Sequence, residues 1–125
     1  MLIGIDLGTT NSLVACFREG KAELIPNRLG SFLTPSVVSV DSKGTVYVGR
    51  SAKERAMLHP LESASVFKRS MGTDREYKLG DWKLRAEELS SLPGVFTASE
   101  FVHNIMGVDN VCERAAAASG GRLIV

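Results

Sequence analysis

A short apolar run over Leu2 to Leu7 breaks into a glycine, two threonines and an amide, and a second run follows from Ser12 to Phe17. Runs this short, bounded by turn formers, predict two strands joined by the turn Gly8-Thr9-Thr10-Asn11. Glu19-Gly20 predicts the next turn, and Ala22 to Ile25 a third strand that Pro26-Asn27 ends, so the chain opens on an antiparallel meander. The segment "SFLTPSVVSVDSKGTVYVG" predicts a second hairpin, with strands at Val37 to Val40 and Thr45 to Val48 around Asp41-Ser42-Lys43-Gly44.

The pattern turns helical from Ala52 to Leu58 and stops at His59-Pro60, because the residue before a proline is pushed out of the α region. A small hairpin is predicted around Gly80-Asp81, then a helix from near Ala86 whose buried stripe is Leu89 and Leu92. Leu92-Pro93-Gly94 ends that helix and marks the predicted boundary between a first unit, 1–92, and a tail, 93–125. In the tail, Thr97 to Glu100 is a capping box for a helix with Phe101, Val102, Ile105 and Met106 on one face. Asp109 caps a second tail helix that Gly120-Gly121 stops, and "RLIV" reads as an edge strand or as the end of a truncated product.

Composition narrows the class. With 125 residues, 44% hydrophobic and 23% charged, the chain fits one soluble globular domain. A formal net charge of +1 provides no global field for nucleic acid or an acidic membrane, so any anion site must be local. The opening run has no basic stretch before it and no cleavage-like site, which makes it a strand rather than a secretory signal and gives a cytoplasmic expectation. Cys16 and Cys112 are far apart and outside any Cys-x-x-Cys pair, and neither His59 nor His103 has a second ligand at helical spacing. Reduced thiols and no protein-held metal cluster are expected.

The first turn carries the candidate chemistry. A triphosphate needs main-chain amides and hydroxyls converging without side-chain bulk, and it usually travels with magnesium, which takes oxygen ligands. Gly8 allows close approach, Thr9 and Thr10 offer amide and hydroxyl donors, and Asp6 at the strand end can hold a cation through water. The turn runs into a strand rather than a helix, unlike P-loop and dinucleotide motifs. An ordinary polar hairpin uses the same residue types, and the residues alone leave that reading open.

The stretch "IGIDLGTTNSLVA" resembles the first phosphate motif of the heat-shock protein 70 (Hsp70) chaperones, members of the actin and sugar-kinase superfamily. Three further blocks follow in family order: "LIPNRLGSFLTPSVVSV", "YVGRSAKERAMLHP" and "SVFKRSMG". Together with "YKLGDWKLRAEELSSL" they look most like a divergent bacterial branch, and the resemblance covers about residues 1–92. It implies an α/β fold with a mixed sheet like the first subdomain of the actin-like ATPase fold, followed here by a helical tail. It implies ATP and Mg as ligands, with unfolded client peptides and cochaperones as partners. Carried over by position, Gly8, Thr9, Thr10 and Asn11 match the phosphate-contacting turn, and Asp6 the cation-site aspartate. Lys68 matches the lysine that positions or activates the attacking water, with Asp6 its partner in the catalytic set.

Departures from the family shape the functional expectation. The chain lacks the second Asp-Leu-Gly-Gly-Gly-Thr-type loop, the Asn-Glu-Pro-Thr segment, the adenosine motif, the interdomain linker and the peptide-binding domain. A nucleotide held from one side implies little ATPase activity. The tail carries no Hsp70 pattern, and its "VCERAA" followed by Gly-Gly is faintly similar to the C-terminal domain of cobalt-precorrin hydrolases. Two other readings stand beside the chaperone segment: a sugar or acid kinase of the same superfamily, which does not need "LTPSVVSV" or "FKRSMG", and a non-enzymatic interaction domain.

Overall fold

The computed structural model describes residues 2–93 and the backbone strand at 122–124. The predicted tail helices, with Thr97, Glu100, His103, Asp109 and Cys112, lie outside the described residues.

The opening meander forms as expected. Strands β1 (Leu2–Leu7), β2 (Asn11–Arg18) and β3 (Lys21–Ile25) pair in sequence order, all antiparallel. β1 and β2 are in register at Leu7↔Ser12 and Asp6↔Leu13, so only Gly8, Thr9 and Thr10 separate the two strands. A two-residue strand, β4 (Thr34–Pro35), adds to the same edge of β2 beyond β3, with Asn11 opposite Pro35 and Ser12 opposite Thr34. Between β3 and β4 the chain makes an excursion that Asn27 ties down. Its Oδ1 accepts from the Leu29 and Ser31 amides, and its Nδ2 donates to Thr34 Oγ1 at 3.1 Å.

Ser36 then carries the chain into a second sheet. There β5 (Val37–Val40) pairs antiparallel with β6 (Thr45–Val48) on one side and with β7 (Ser63–Ser65) on the other. The strand at Arg122–Ile124, β10, joins the outer edge of β6 in parallel, which makes this sheet mixed. That edge position is where "RLIV" was expected. β8 (Glu76–Leu79) and β9 (Trp82–Arg85) form a separate hairpin around Gly80-Asp81, and a second helix, α2, begins at 86 and continues to 93.

All of β5 is buried, because it is covered on both faces. A strand in that position reads as a nearly continuous apolar run rather than an alternating one, which accounts for "SVVSV". Val38, Val40, Val46 and Val48 face one way and pack with Ala64, Phe67, Leu79 and Leu89. The other face meets α1 (Arg50–Leu58), which starts two residues before the predicted Ala52, directly after Gly49 at φ 78. Ser39 on that face accepts from Arg55 Nε and Ser63 Oγ and donates to the Glu62 carbonyl. Arg55 also pairs with Glu62 and stacks 5.1 Å over the Tyr47 ring, fixing the helix to the sheet.

The first sheet is thinly covered. Val14, Cys16 and Ile25 make a small buried group of their own, while Leu2 is 71% exposed and Ile3 and Ile5 are also exposed. Cys16 is buried, and it has no disulfide partner among the described residues.

Two stability predictions follow from this arrangement. Leu89 is fully buried at the centre of the larger core, so Leu89→Ala should cost about 2–5 kcal/mol in urea denaturation. Asp41 closes the β5–β6 turn by accepting from the Thr45 and Lys43 amides and from Tyr47 Oη. Those bonds, the Thr45 amide foremost, hold its pKa below the usual carboxylate value of 3.8. A carboxyl with a lowered folded pKa contributes stability above its unfolded pKa and loses it as pH falls through the folded one. Acid titration from about pH 5 downward should therefore destabilise the wild type more than Asp41→Asn.

Candidate functional site

Gly8, Thr9, Thr10 and Asn11 form the tight connection between β1 and β2, as the sequence predicts. Gly8 is there for steric reasons. A Cβ built on it would lie 2.2 Å from the Asn11 carbonyl oxygen, and both atoms belong to backbone that cannot swing aside. The close approach of the two chain ends therefore excludes every other residue at position 8 in this geometry.

Three carbonyls along this stretch are held from behind. Lys68 Nζ donates to the Leu7 carbonyl. Ser36 Oγ donates to the Gly8 carbonyl at 2.8 Å, and the Ser36 amide donates to the Thr10 carbonyl at 2.9 Å. Ser12 Oγ lies 2.8 Å from Ser36 Oγ. Because the Gly8 oxygen can only accept, the Ser36 proton is committed to it, and Ser12 must be the donor in the hydroxyl pair.

A peptide plane points its C=O and N–H in opposite directions. Tying down the Gly8 and Thr10 carbonyls therefore turns the Thr9 and Asn11 amides the other way. Neither the Thr9 nor the Thr10 N–H has an acceptor among the described residues, and the hydroxyls of both are equally uncommitted. The result is a small group of donors without partners among the described residues, on a turn held by two of its carbonyls, a donor set suited to oxyanions.

The predicted residues are brought together here, although they are distant in sequence. Lys68 is 61 positions from Leu7 yet reaches its carbonyl from the 3-10 turn Phe67–Ser70. Asp6 is exposed at the end of β1, one residue before the carbonyl that Lys68 holds. A cavity of about 230 Å³ opens beside the turn between Thr9, Thr10, Ser36, Lys53 and Val66. Among the described residues no group of three or more His, Cys, Asp or Glu is placed to chelate a metal. A lone carboxylate with neighbouring hydroxyls is instead a donor set for hydrated magnesium, which keeps its waters and is shared with phosphate.

Ser36 and Ser12 are the members of this site that sequence reasoning passed over. The available signal was a serine directly after Thr-Pro, between two apolar runs, where a polar side chain would be buried and need a partner.

The match to known proteins decides the family. The family described as "Hsp70 protein" matches residues 2–90 of the chain. The chain belongs to the Hsp70 family. Similar relatives include the "Chaperone protein DnaK" of Thermotoga neapolitana, 42% identical over 91 residues that make up 72% of this chain. Those of Thermotoga petrophila and Thermotoga maritima share the same identity and coverage. The aligned part is only 15% of each relative's length, so this Hsp70 chain corresponds to a small share of a DnaK. It is an α/β segment of the Hsp70 ATPase domain, and no helix of the described residues is long and apolar enough to cross a membrane.

The packing at Gly8 yields a direct test. Gly8→Ala should force the turn open, lowering stability by about 1–3 kcal/mol in urea denaturation, and should move the Thr9 and Thr10 amide resonances.

Proposed function

We propose that this Hsp70 chain binds the phosphates of MgATP through the turn Gly8 to Asn11, gripping them from one side, and that by itself it hydrolyses ATP negligibly. The observation that carries this reading is the set of carbonyls held by Lys68 and Ser36, which turns the Thr9 and Asn11 amides away from Ser36 in a turn whose Thr9 and Thr10 hydroxyls have no partner among the described residues. Asp6 is the residue to hold magnesium, through water, and the ion would neutralise charge on the phosphate oxygens.

Lys68 supplies a cation at the same place. Its ammonium can leave the Leu7 carbonyl for a phosphate oxygen or for the attacking water, where it would stabilise charge developing on the transferred group. Hydrolysis also needs the water, the γ-phosphorus and the leaving oxygen held in line. A turn that contacts the phosphates from one side cannot impose that alignment, and it leaves the base without a pocket. The cavity beside Thr9 and Thr10 is about 230 Å³, below the range of about 300–1,000 Å³ usual for small-molecule sites.

Client peptides and cochaperones enter through the family alone. Residues 93–125 form, in this proposal, a tail distinct from the Hsp70 segment. A cytoplasmic chaperone context follows from the same kinship.

Isothermal titration of the purified chain with MgATP, with and without magnesium, tests the grip. Weak, magnesium-dependent binding that Lys68→Ala lowers severalfold is expected, with no phosphate release above the uncatalysed background. Absence of any binding, or release that depends on Lys68, would overturn the reading.

A further inference from the structure

We infer that Ser36 is the positioning residue of the phosphate turn: its hydroxyl and its amide clamp two successive bends of the loop, and that clamp aims the Thr9 and Asn11 amides outward. The inference rests on the phosphate-binding reading above and adds to it a residue that never touches the ligand.

The geometry is specific. Ser36 is 3% exposed and Ser12 1%, so the chain of hydroxyls starts from a buried pair and ends at the half-buried Gly8 carbonyl. In such surroundings a hydrogen bond is strengthened, and each one polarises the next. The second contact, from the Ser36 amide to the Thr10 carbonyl at 2.9 Å, comes from the same residue. One residue thus fixes the peptides that follow Gly8 and Thr10, with the half-buried Thr9 between them and Thr10 exposed.

Ser36 is also well placed to be rigid itself. Pro35 before it pairs across from Asn11, and Val37 after it begins the fully buried β5. The Gly49 amide, at the start of α1, donates to the Val37 carbonyl at 3.0 Å. The clamp is therefore held by the second sheet and its helix, and the turn inherits the stiffness of the larger core. Without the hydroxyl, the Gly8 carbonyl would lose its buried donor, and that peptide could rotate to seek another.

The test uses the full 125-residue chain, labelled with nitrogen-15, and inorganic tripolyphosphate with magnesium as the probe. Ser36→Ala removes the hydroxyl contact to Gly8 and keeps the amide contact to Thr10. It should therefore shift the Thr9 amide resonance and raise its hydrogen exchange, with a smaller change at Asn11, while the amides of Val38, Val40 and Val46 stay in place. Tripolyphosphate should bind about tenfold more weakly, the scale of one lost hydrogen bond to a half-buried acceptor. Ser36→Cys keeps the volume but donates weakly, so it should change the same amides in the same direction by less. Ser12→Ala, which leaves the bond from Ser36 to Gly8 intact, should have the smallest effect.

Turn amides that stay at their wild-type positions in Ser36→Ala would overturn the inference, as would changes spread evenly through β5 and β6. If Ser36→Ala fails to fold, Ser36→Cys is judged by the same criteria. Failure of the wild type to bind tripolyphosphate would remove the phosphate reading, whereas the amide shifts would still decide whether Ser36 orients the turn.

Discussion

The turn at Gly8 to Asn11 depends on its carbonyls being held from behind. Main-chain amides bind anions well only when they cannot turn away, and a short loop between two strands has no rigidity of its own. Here the Leu7, Gly8 and Thr10 carbonyls are anchored by Lys68 and Ser36, both supplied by elements outside the meander. A peptide held by its oxygen has only one direction left for its N–H. The donor array is thus a consequence of packing, with the second sheet acting through Ser36 and the 3-10 turn through Lys68.

The two sheets differ in what supports them. β5 is sealed between α1 and the group of Phe67, Leu79 and Leu89, and can act as a fixed reference. β1 is the edge of its sheet among the described residues, with Leu2, Ile3 and Ile5 exposed and Asp6 its only charged side chain. Edges of this kind are normally covered or guarded by charge. The part of the chain that carries the turn is therefore its least buttressed strand pair, and the braces from Ser36 and Lys68 matter more for that reason.

Local pattern made much of this architecture legible. Val37–Val40 and Thr45–Val48 were readable to the residue, because β-branched runs flank a turn whose Asp41 and Gly44 have clear roles. β4 and β7 were not, being two and three residues long and defined only by what they pair with. Nothing local distinguishes one mixed sheet from a meander and a second sheet joined at Ser36, since sheet membership is decided by register between distant strands. The same limit applies to the site. Gly8 to Asn11 were legible as a unit because they are contiguous, whereas the reach of Lys68 across 61 positions was accessible only through family resemblance. The buried pair of Ser12 and Ser36 is separated by 24 positions and left no contiguous pattern at all.

How Lys68 comes to face the turn can be argued from its neighbours. Val66 sits at φ 48, in the left-handed region that a β-branched residue strongly avoids, at a cost of about 1–3 kcal/mol. The bend it makes separates β7 from the 3-10 turn and sends Phe67 into the core, where it is almost wholly buried. Burial of a phenylalanine is worth about 1.5–3 kcal/mol, enough to offset the strain. With Phe67 committed inward, Lys68 is directed toward the end of β1, where its ammonium finds the Leu7 carbonyl. An unfavourable backbone angle at Val66, a buried ring at Phe67 and a placed cation at Lys68 are thus three successive parts of one device, in which core packing holds a charge beside the turn.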